Sequence, residues 1–372
     1  MRRAVQQAAV TALLLACTAL PSVAQIDPRT ALLERAGWDA LAAGRVHAAD
    51  RAFRDALTSD PRNPRLHLGA GITAYMERRD TDARVELERT LSLAPGLVEA
   101  RKVLGYVQYR GGDLPAAIAS LEAVVAAAPQ ATALQATLAR WRREAALHDR
   151  LRQVLGNSFT VSFDGPSEEA LATRVLASLD RAYWRVGALL GTFPSQPIPV
   201  VIYTREEFAD IMQAPEWAVG AYDGTIRLPM RRALEDPAEL ERVLAHELAH
   251  ALVHVLATRN VPAWLDEGLA TALESDDLSW AERCVRAAPA PVPLQALPAS
   301  FSRLSGDQAR LAYATSALAV RQLLDTAGGD AVASLLRDLG EGVDLEPAFL
   351  HWMQRPLADL QSDGSAGLAS FK

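Results

Sequence analysis

The sequence predicts a chain in two parts: an N-terminal all-α solenoid of helical repeats, then a C-terminal α+β domain built around a metal-binding helix. Three observations carry this expectation. Four columns of residues recur in phase every 34 positions between Gly37 and Pro129. From residue 155 onward, short alternating or β-branched runs interleave with helical stretches. Finally, His246-Glu247-Leu248-Ala249-His250 sits inside an almost wholly apolar helical stretch.

At 372 residues the chain is long enough for two to three domains, each with its own core. Half of its residues are apolar and the net charge is −7, which argues against a nucleic-acid partner. Arginine is abundant while lysine occurs only at Lys102 and Lys372, a compositional bias rather than a functional arginine patch. Residues 1–24 read as a signal peptide: Arg2 and Arg3 open it, residues 8–20 form its apolar run, and Ser22-Val23-Ala24 supplies a small-residue cleavage site. The protein is therefore expected to be exported, periplasmic or secreted. Leu14-Leu15-Ala16-Cys17 also resembles a bacterial lipobox, which would make Cys17 a lipid anchor; the ordinary signal is preferred because its cleavage site is well formed. No stretch reaches the ~18 uninterrupted apolar residues of a membrane span. Once the signal is removed only Cys284 remains, so no internal disulfide is expected and Cys284 reads as a small buried hydrophobe.

The repeat comes first. Gly37, Gly71 and Gly105 form one column; Ala49, Ala83 and Ala117 a second; Phe53, Leu87 and Leu121 a third; Pro61, Pro95 and Pro129 a fourth. A 34-residue period, with small residues where helices meet and a proline ending the second helix, is the tetratricopeptide pattern. Gly44-Arg45 and Gly112-Asp113 fall at the turn between paired helices. Residues 131–151, apolar on one face and carrying Arg140, Arg142, Arg143 and Glu144 on another, read as the cap helix that such arrays need. Residues 30–151 are thus expected to be a tetratricopeptide-repeat solenoid with its cap. Its groove would hold a protein or peptide partner, or the array would be a spacer; no clamp of asparagines and lysines decides between them. His47, His67 and His148 read as surface or groove polar residues.

The second domain is expected over residues 155–360, followed by a flexible tail over 361–372. Phe159-Thr160-Val161-Ser162-Phe163 alternates as a half-buried strand. Ser167 opens a helix over 170–190. Residues 197–203 form a second strand, whose prolines suggest an edge or a strand start. A short helix over 206–212 is followed by a hairpin over 218–229 that turns at Asp223-Gly224. The metal helix runs over 235–256 and starts near Asp236-Pro237. Beyond it come a proline-rich loop over 287–298, a helix over 311–326 broken by Gly328-Gly329, another over 331–339, and one or two more over 345–360. The hairpin's edge strand, Gly220-Ala221-Tyr222, is positioned to pair with an extended substrate peptide; alternatively it only closes the sheet.

Four residues apart, His246 and His250 leave the same face of a helix one turn apart, close enough for both to reach a Zn²⁺ at about 2.0–2.1 Å. Glu247 points to the neighbouring side, where it can act as general base toward a metal-bound water. Buried in so apolar a helix, two histidines and a glutamate are costly unless something ligates or pairs them. The acidic helix start Trp264-Leu265-Asp266-Glu267-Gly268-Leu269-Ala270 supplies a carboxylate that can return as a third ligand. His254 continues the spacing but lies about 12 Å along the axis from His246, too far to share the ion, and reads as a supporting or core histidine.

Together, His246-Glu247-x-x-His250 and Pro262-x-Trp264-Leu265-x-Glu267-Gly268-Leu269-Ala270 resemble the gluzincin clan of zinc metallopeptidases. They are most similar to the peptidase MA-like domains found with tetratricopeptide repeats in exported bacterial proteins. Ala312-Tyr313-Ala314-Thr315-Ser316 resembles that family's Ala-Tyr-x-x-Ser helix. The resemblance implies a zincin-like metallopeptidase fold, Glu267 as third zinc ligand and Tyr313 as donor to the oxyanion. Asp266 reads as a helix cap in preference to an orienter of a ligand. Only sixteen residues lie between His250 and Glu267, so the link between the two helices must be tight. The hairpin lacks the aminopeptidases' exopeptidase signature, which favours an endopeptidase.

The functional expectation is an exported zinc peptidase whose repeats recruit a protein or peptide. Its rival is an inactive exported binding or assembly protein acting through the repeats. A purely structural zinc site is disfavoured because no cysteine lies near the motif.

Overall fold

The computed structural model describes residues 28–165, 168–194, 196–212, 220–229, 236–290, 292–301 and 304–360. The expected signal with Cys17, the helix-opening Ser167, positions 218–219 of the hairpin, residue 235 and the 361–372 tail lie outside the described residues. The chain divides between Ala145 and Ala146 into two compact units.

In the first unit, helices α1 (Pro28–Ala42), α2 (Val46–Ser59), α3 (Pro64–Met76), α4 (Asp80–Leu93), α5 (Val98–Arg110) and α6 (Leu114–Ala127) pair in succession. The packing explains the columns. Ala49, Ala83, Ala117, Phe53, Leu87 and Leu121 are all fully buried at helix contacts. Pro61, Pro95 and Pro129 each stand two residues past the end of α2, α4 or α6, where a missing N–H costs the helix nothing. At the turn inside each repeat the chain passes through the left-handed region at Gly44, Arg78 and Gly112. The middle repeat thus pays the steric cost that its neighbours avoid with glycine.

Helix α7 (Thr132–His148) follows the repeats. Its Trp141 is buried and stacks on Tyr109, with ring centroids 4.6 Å apart. Glu144, expected on the solvent face, is instead buried and accepts a hydrogen bond from the Tyr109 hydroxyl at 2.7 Å. That hydroxyl needs a partner once its ring is stacked inside the array.

The second unit holds a five-stranded mixed sheet in the order β1-β2-β3-β5-β4, made of β1 (Arg152–Leu155), β2 (Phe159–Phe163), β3 (Ile198–Tyr203), β4 (Ala221–Tyr222) and β5 (Ile226–Pro229). β2, β3 and β5 run parallel, while β1 and β4 pair antiparallel at the two edges. β1 was not foreseen: Arg152-Gln153-Val154-Leu155 is largely exposed, so it has no clean apolar alternation. β3 is central rather than an edge, and Pro199 is accommodated because it lies at the strand's start.

Side chains alternate across β3. Val200 and Ile202 join the main core, while Val201 and Tyr203 face Leu147, Phe208 and Ile211 on the other side. That second face places the last turn of α7 in this unit.

Helix α8 (Glu169–Leu190) covers β2 and packs on α10 (Pro237–Leu256), the expected metal helix. A short α9 (Arg205–Met212) lies between β3 and β4. Asp236 caps α10 by accepting from the Ala238 N–H. Leu240, Leu244, Leu248 and Leu252 of α10 are buried, each contributing about 1.5–3 kcal/mol. After it come α11 (Ala263–Glu274), α12 (Ser279–Ala287), a 3₁₀ turn at Leu294–Ala296 inside the expected loop, α13 (Gly306–Glu341) and α14 (Leu345–Met353). α13 merges the two expected helices across a kink at Gly328, whose φ is 82°. Cys284 on α12 is only half-buried against the core. Among the described residues, no helix is long and apolar enough to cross a membrane.

Candidate metal centre

Helix α10 presents His246, Glu247 and His250, and the tight link after it turns the chain straight into α11, which presents Asp266 and Glu267. Gly268 explains how closely the next layer lies: a Cβ there would come within 2.7 Å of the Ser316 carbonyl oxygen, so α11 can rest directly on α13. In consequence one ligand atom each from His246, His250 and Glu267 fall within 4.8 Å of one another. Glu267 Oε2 stands 3.5 Å from His250 Nε2 and 3.8 Å from His246 Nε2.

The outer nitrogens of both imidazoles are held by carboxylates. His250 Nδ1 is 2.8 Å from Asp266 Oδ1, and His246 Nδ1 is 2.8 Å from Glu274 Oε2. In a neutral imidazole, donating Nδ1–H to a carboxylate leaves the Nε2 lone pair for a metal ion, on the side where Glu267 lies. Asp266 is thus an orienting residue rather than a cap, correcting the expectation; the α11 N-cap is Pro262, without a side-chain cap. Glu274 was not anticipated. Its spacing of seven residues from Glu267, two helical turns, is the signal that could have revealed it. Arg242 clamps Glu274 at 2.7 Å and Glu239 at 2.9 and 2.6 Å, and these pairings hold its guanidinium pKa well above the usual value.

Burial pushes the Glu247 carboxyl above its ordinary range, against the pull of His246 and His250. Burial would lower His250, but its pairing with Asp266, aided by Glu267, raises it overall. Burial acts on Asp266 in the opposite sense, and the His250 partner nevertheless holds it below the carboxylate range.

A cleft of about 300 Å³ opens beside the cluster, reaching Gly220, His246, Glu247, Thr271, Trp280 and Tyr313. Burial raises the Tyr313 phenol pKa, and the neighbouring Glu267 carboxylate, within hydrogen-bonding reach, adds to the shift. The phenol therefore stays protonated and is a donor. Gly220 lies against the general-base candidate: a Cβ there would stand 2.5 Å from Glu247 Oε1. Of the three expected substrate-binding residues, Gly220 alone reaches the cleft. Ala221 packs with Val201 and Tyr203 behind the sheet, and Tyr222 packs on the core with its ring 6.0 Å from that of His254. Burial raises the Tyr222 phenol pKa to about 12. His254 lies outside the three-residue cluster.

Two imidazoles and one carboxylate, converging with their outer atoms already fixed, fit the donor set of a catalytic Zn²⁺ that keeps a position open.

Comparison with known families adds two matches. The model described as Peptidase MA superfamily matches residues 179–364, half of the chain. The model described as tetratricopeptide repeat matches residues 35–97 and 86–132. No curated protein matches.

Proposed function

The chain belongs to the Peptidase MA superfamily, and on that premise we propose that it is an exported zinc-dependent endopeptidase whose repeats recruit a protein or peptide. One observation carries the reading: His246, His250 and Glu267 bring ligand atoms within 4.8 Å of one another, directly beside a buried Glu247. When bound, Zn²⁺ supplies Lewis-acid polarisation of the scissile carbonyl and acidifies water.

The chain's own residues do the rest. His246, His250 and Glu267 would hold the ion, and Asp266 and Glu274 keep the two imidazoles in the ligating tautomer. Glu247, its carboxyl raised by burial, takes the proton of the attacking water and delivers it to the departing amine. Tyr313, protonated and facing the cleft, donates to the oxygen on which charge develops. The β4 edge, unpaired among the described strands, offers backbone groups to an extended peptide. With no side chain, Gly220 lets that peptide and Glu247 approach each other.

The test is cleavage of a quenched peptide library by the full chain, with and without a chelator, beside Glu247→Gln. Chelator-sensitive cleavage that Glu247→Gln loses supports the reading. Zinc bound without cleavage of any peptide returns function to the repeats.

A further inference from the structure

We infer that the cleft selects peptides carrying a carboxylate close to the scissile bond, and that Arg310 is the residue that reads it. The inference rests on the peptidase reading and concerns substrate class within it.

Among the described residues, the charged side chains around the cleft come from three helices. On α10, Arg242 is committed to Glu239 and Glu274, and Glu247 is buried beside Gly220. On α11, Glu274 is shared between Arg242 and His246, and Glu267 faces the two imidazoles. On α13, Arg310 lines the cleft one turn before Tyr313, on the same helix face. It is exposed, and among the described residues it has no ion pair or hydrogen bond. Among the described residues, the other cation lining the cleft, Arg242, is thus neutralised in place, and Arg310 lines it with its charge uncommitted.

A second observation points to a polar guest. Thr271 lies on the α11 face between Glu267 and Glu274 and lines the same cleft. Its hydroxyl is buried and finds no hydrogen-bond partner. Native structures rarely leave such a group unsatisfied, so something in the cleft should complete it. Trp280, from α12, gives the cleft an apolar wall. An acidic side chain, or the carboxyl end of a short peptide, would meet the planar guanidinium fork of Arg310 and could accept from Thr271. A lysine or arginine in the same place would face like charge, so the cleft rejects cations as well as attracting anions. At about 300 Å³ the space suits one or two side chains rather than a long segment.

The experiment uses the full zinc-loaded chain carrying Glu247→Gln, so that peptides bind without being cut. Affinities for labelled alanine-rich peptides are read by fluorescence anisotropy. One Glu, Gln or Lys is moved along the sequence, and each peptide is made as free acid and as amide. The expected result is about tenfold tighter binding of the carboxylate-bearing peptide, weakening with salt because Arg310 is exposed. Arg310→Ala should remove that preference and leave the Gln peptide's affinity unchanged; Arg310→Glu should shift it to Lys. A gain that follows the position of Glu assigns the side chain. One confined to free acids assigns the chain terminus. Equal binding of Glu and Gln peptides and of free acids and amides, or a preference that survives Arg310→Ala, overturns the inference. Should the wild-type chain cleave peptides without regard to charge, the carboxylate preference falls and the peptidase reading stands. Should no peptide be bound or cleaved, both fall.

Discussion

Replacing Gly220 by alanine adds one methyl group and places it against the general base. The new Cβ would lie 2.5 Å from Glu247 Oε1 and 2.9 Å from Cγ and Cδ, whereas ordinary contact begins near 3.4 Å. Something must therefore yield by about 0.9 Å. The strand is poorly placed to move, since Ala221 pairs with Arg227 and Tyr222 with Ile226. The Arg227 guanidinium is itself held by Asp223 at 3.1 Å and by the Tyr203 hydroxyl at 2.5 Å. The carboxylate is the softer partner, so it is the group expected to shift. A displacement near 1 Å costs on the order of a hundredfold in rate, or about 2.7 kcal/mol of transition-state stabilisation. The assay is kcat and KM on a quenched peptide, with zinc content measured on the same samples. A fall confined to kcat with zinc retained fits displacement of Glu247. A rise in KM alone would show that Gly220 contacts peptide without disturbing the base. Wild-type kcat and KM in Gly220→Ala would refute the packing argument.

Further outcomes follow from the same geometry. Glu247→Gln should retain zinc and lose about 10²–10⁴-fold in kcat, read by steady-state kinetics. Glu274→Ala and Asp266→Ala should each weaken zinc affinity about 10–100-fold, read by competition with a chromogenic chelator. In the chelated chain, raised His250 stabilises the fold below its unfolded value of about 6.5 and loses that effect as pH rises through its folded value. Lowered Asp266 stabilises above about 3.9 and loses that effect as pH falls through its folded value. The Tm gap between the wild-type chain and Asp266→Asn, both chelated, should therefore be widest near pH 5, between the two unfolded values, and narrow as the pH rises through the folded value of His250. Trp141→Ala removes a buried ring stacked on Tyr109 and should cost about 3–5 kcal/mol, read by denaturant unfolding.

Much of this was legible in the sequence because periodicity records packing. Phe53, Leu87 and Leu121 recur every 34 residues since each repeat must fill the same seam, and all three are fully buried. The i, i+4 histidines were legible because one helical turn fixes their separation, and the burial of α10 marked them as costly without a partner. Less visible were contacts that depend on how helices cross. Glu274 meets His246 across 28 positions, and only the packing of α11 on α10 brings them together. Asp266 stood where a helix cap also belongs, and local sequence does not tell a cap from a carboxylate that leans back to His250. The exposed strand β1 escaped notice since pairing with β2, rather than its own side chains, makes it a strand. Arg310 was silent for a different reason: that it lines the cleft with no ion pair or hydrogen bond among the described residues is set by packing and not by its local sequence.

The most direct test is zinc stoichiometry by elemental analysis of the purified full chain after equilibration with the ion and removal of excess. The wild-type chain and His246→Ala would be run side by side, with circular dichroism to establish that both are folded. The metal assignment predicts about one zinc per wild-type chain and background levels in His246→Ala. A folded wild-type chain that retains no zinc, or a His246→Ala chain that retains as much as the wild type, would contradict it.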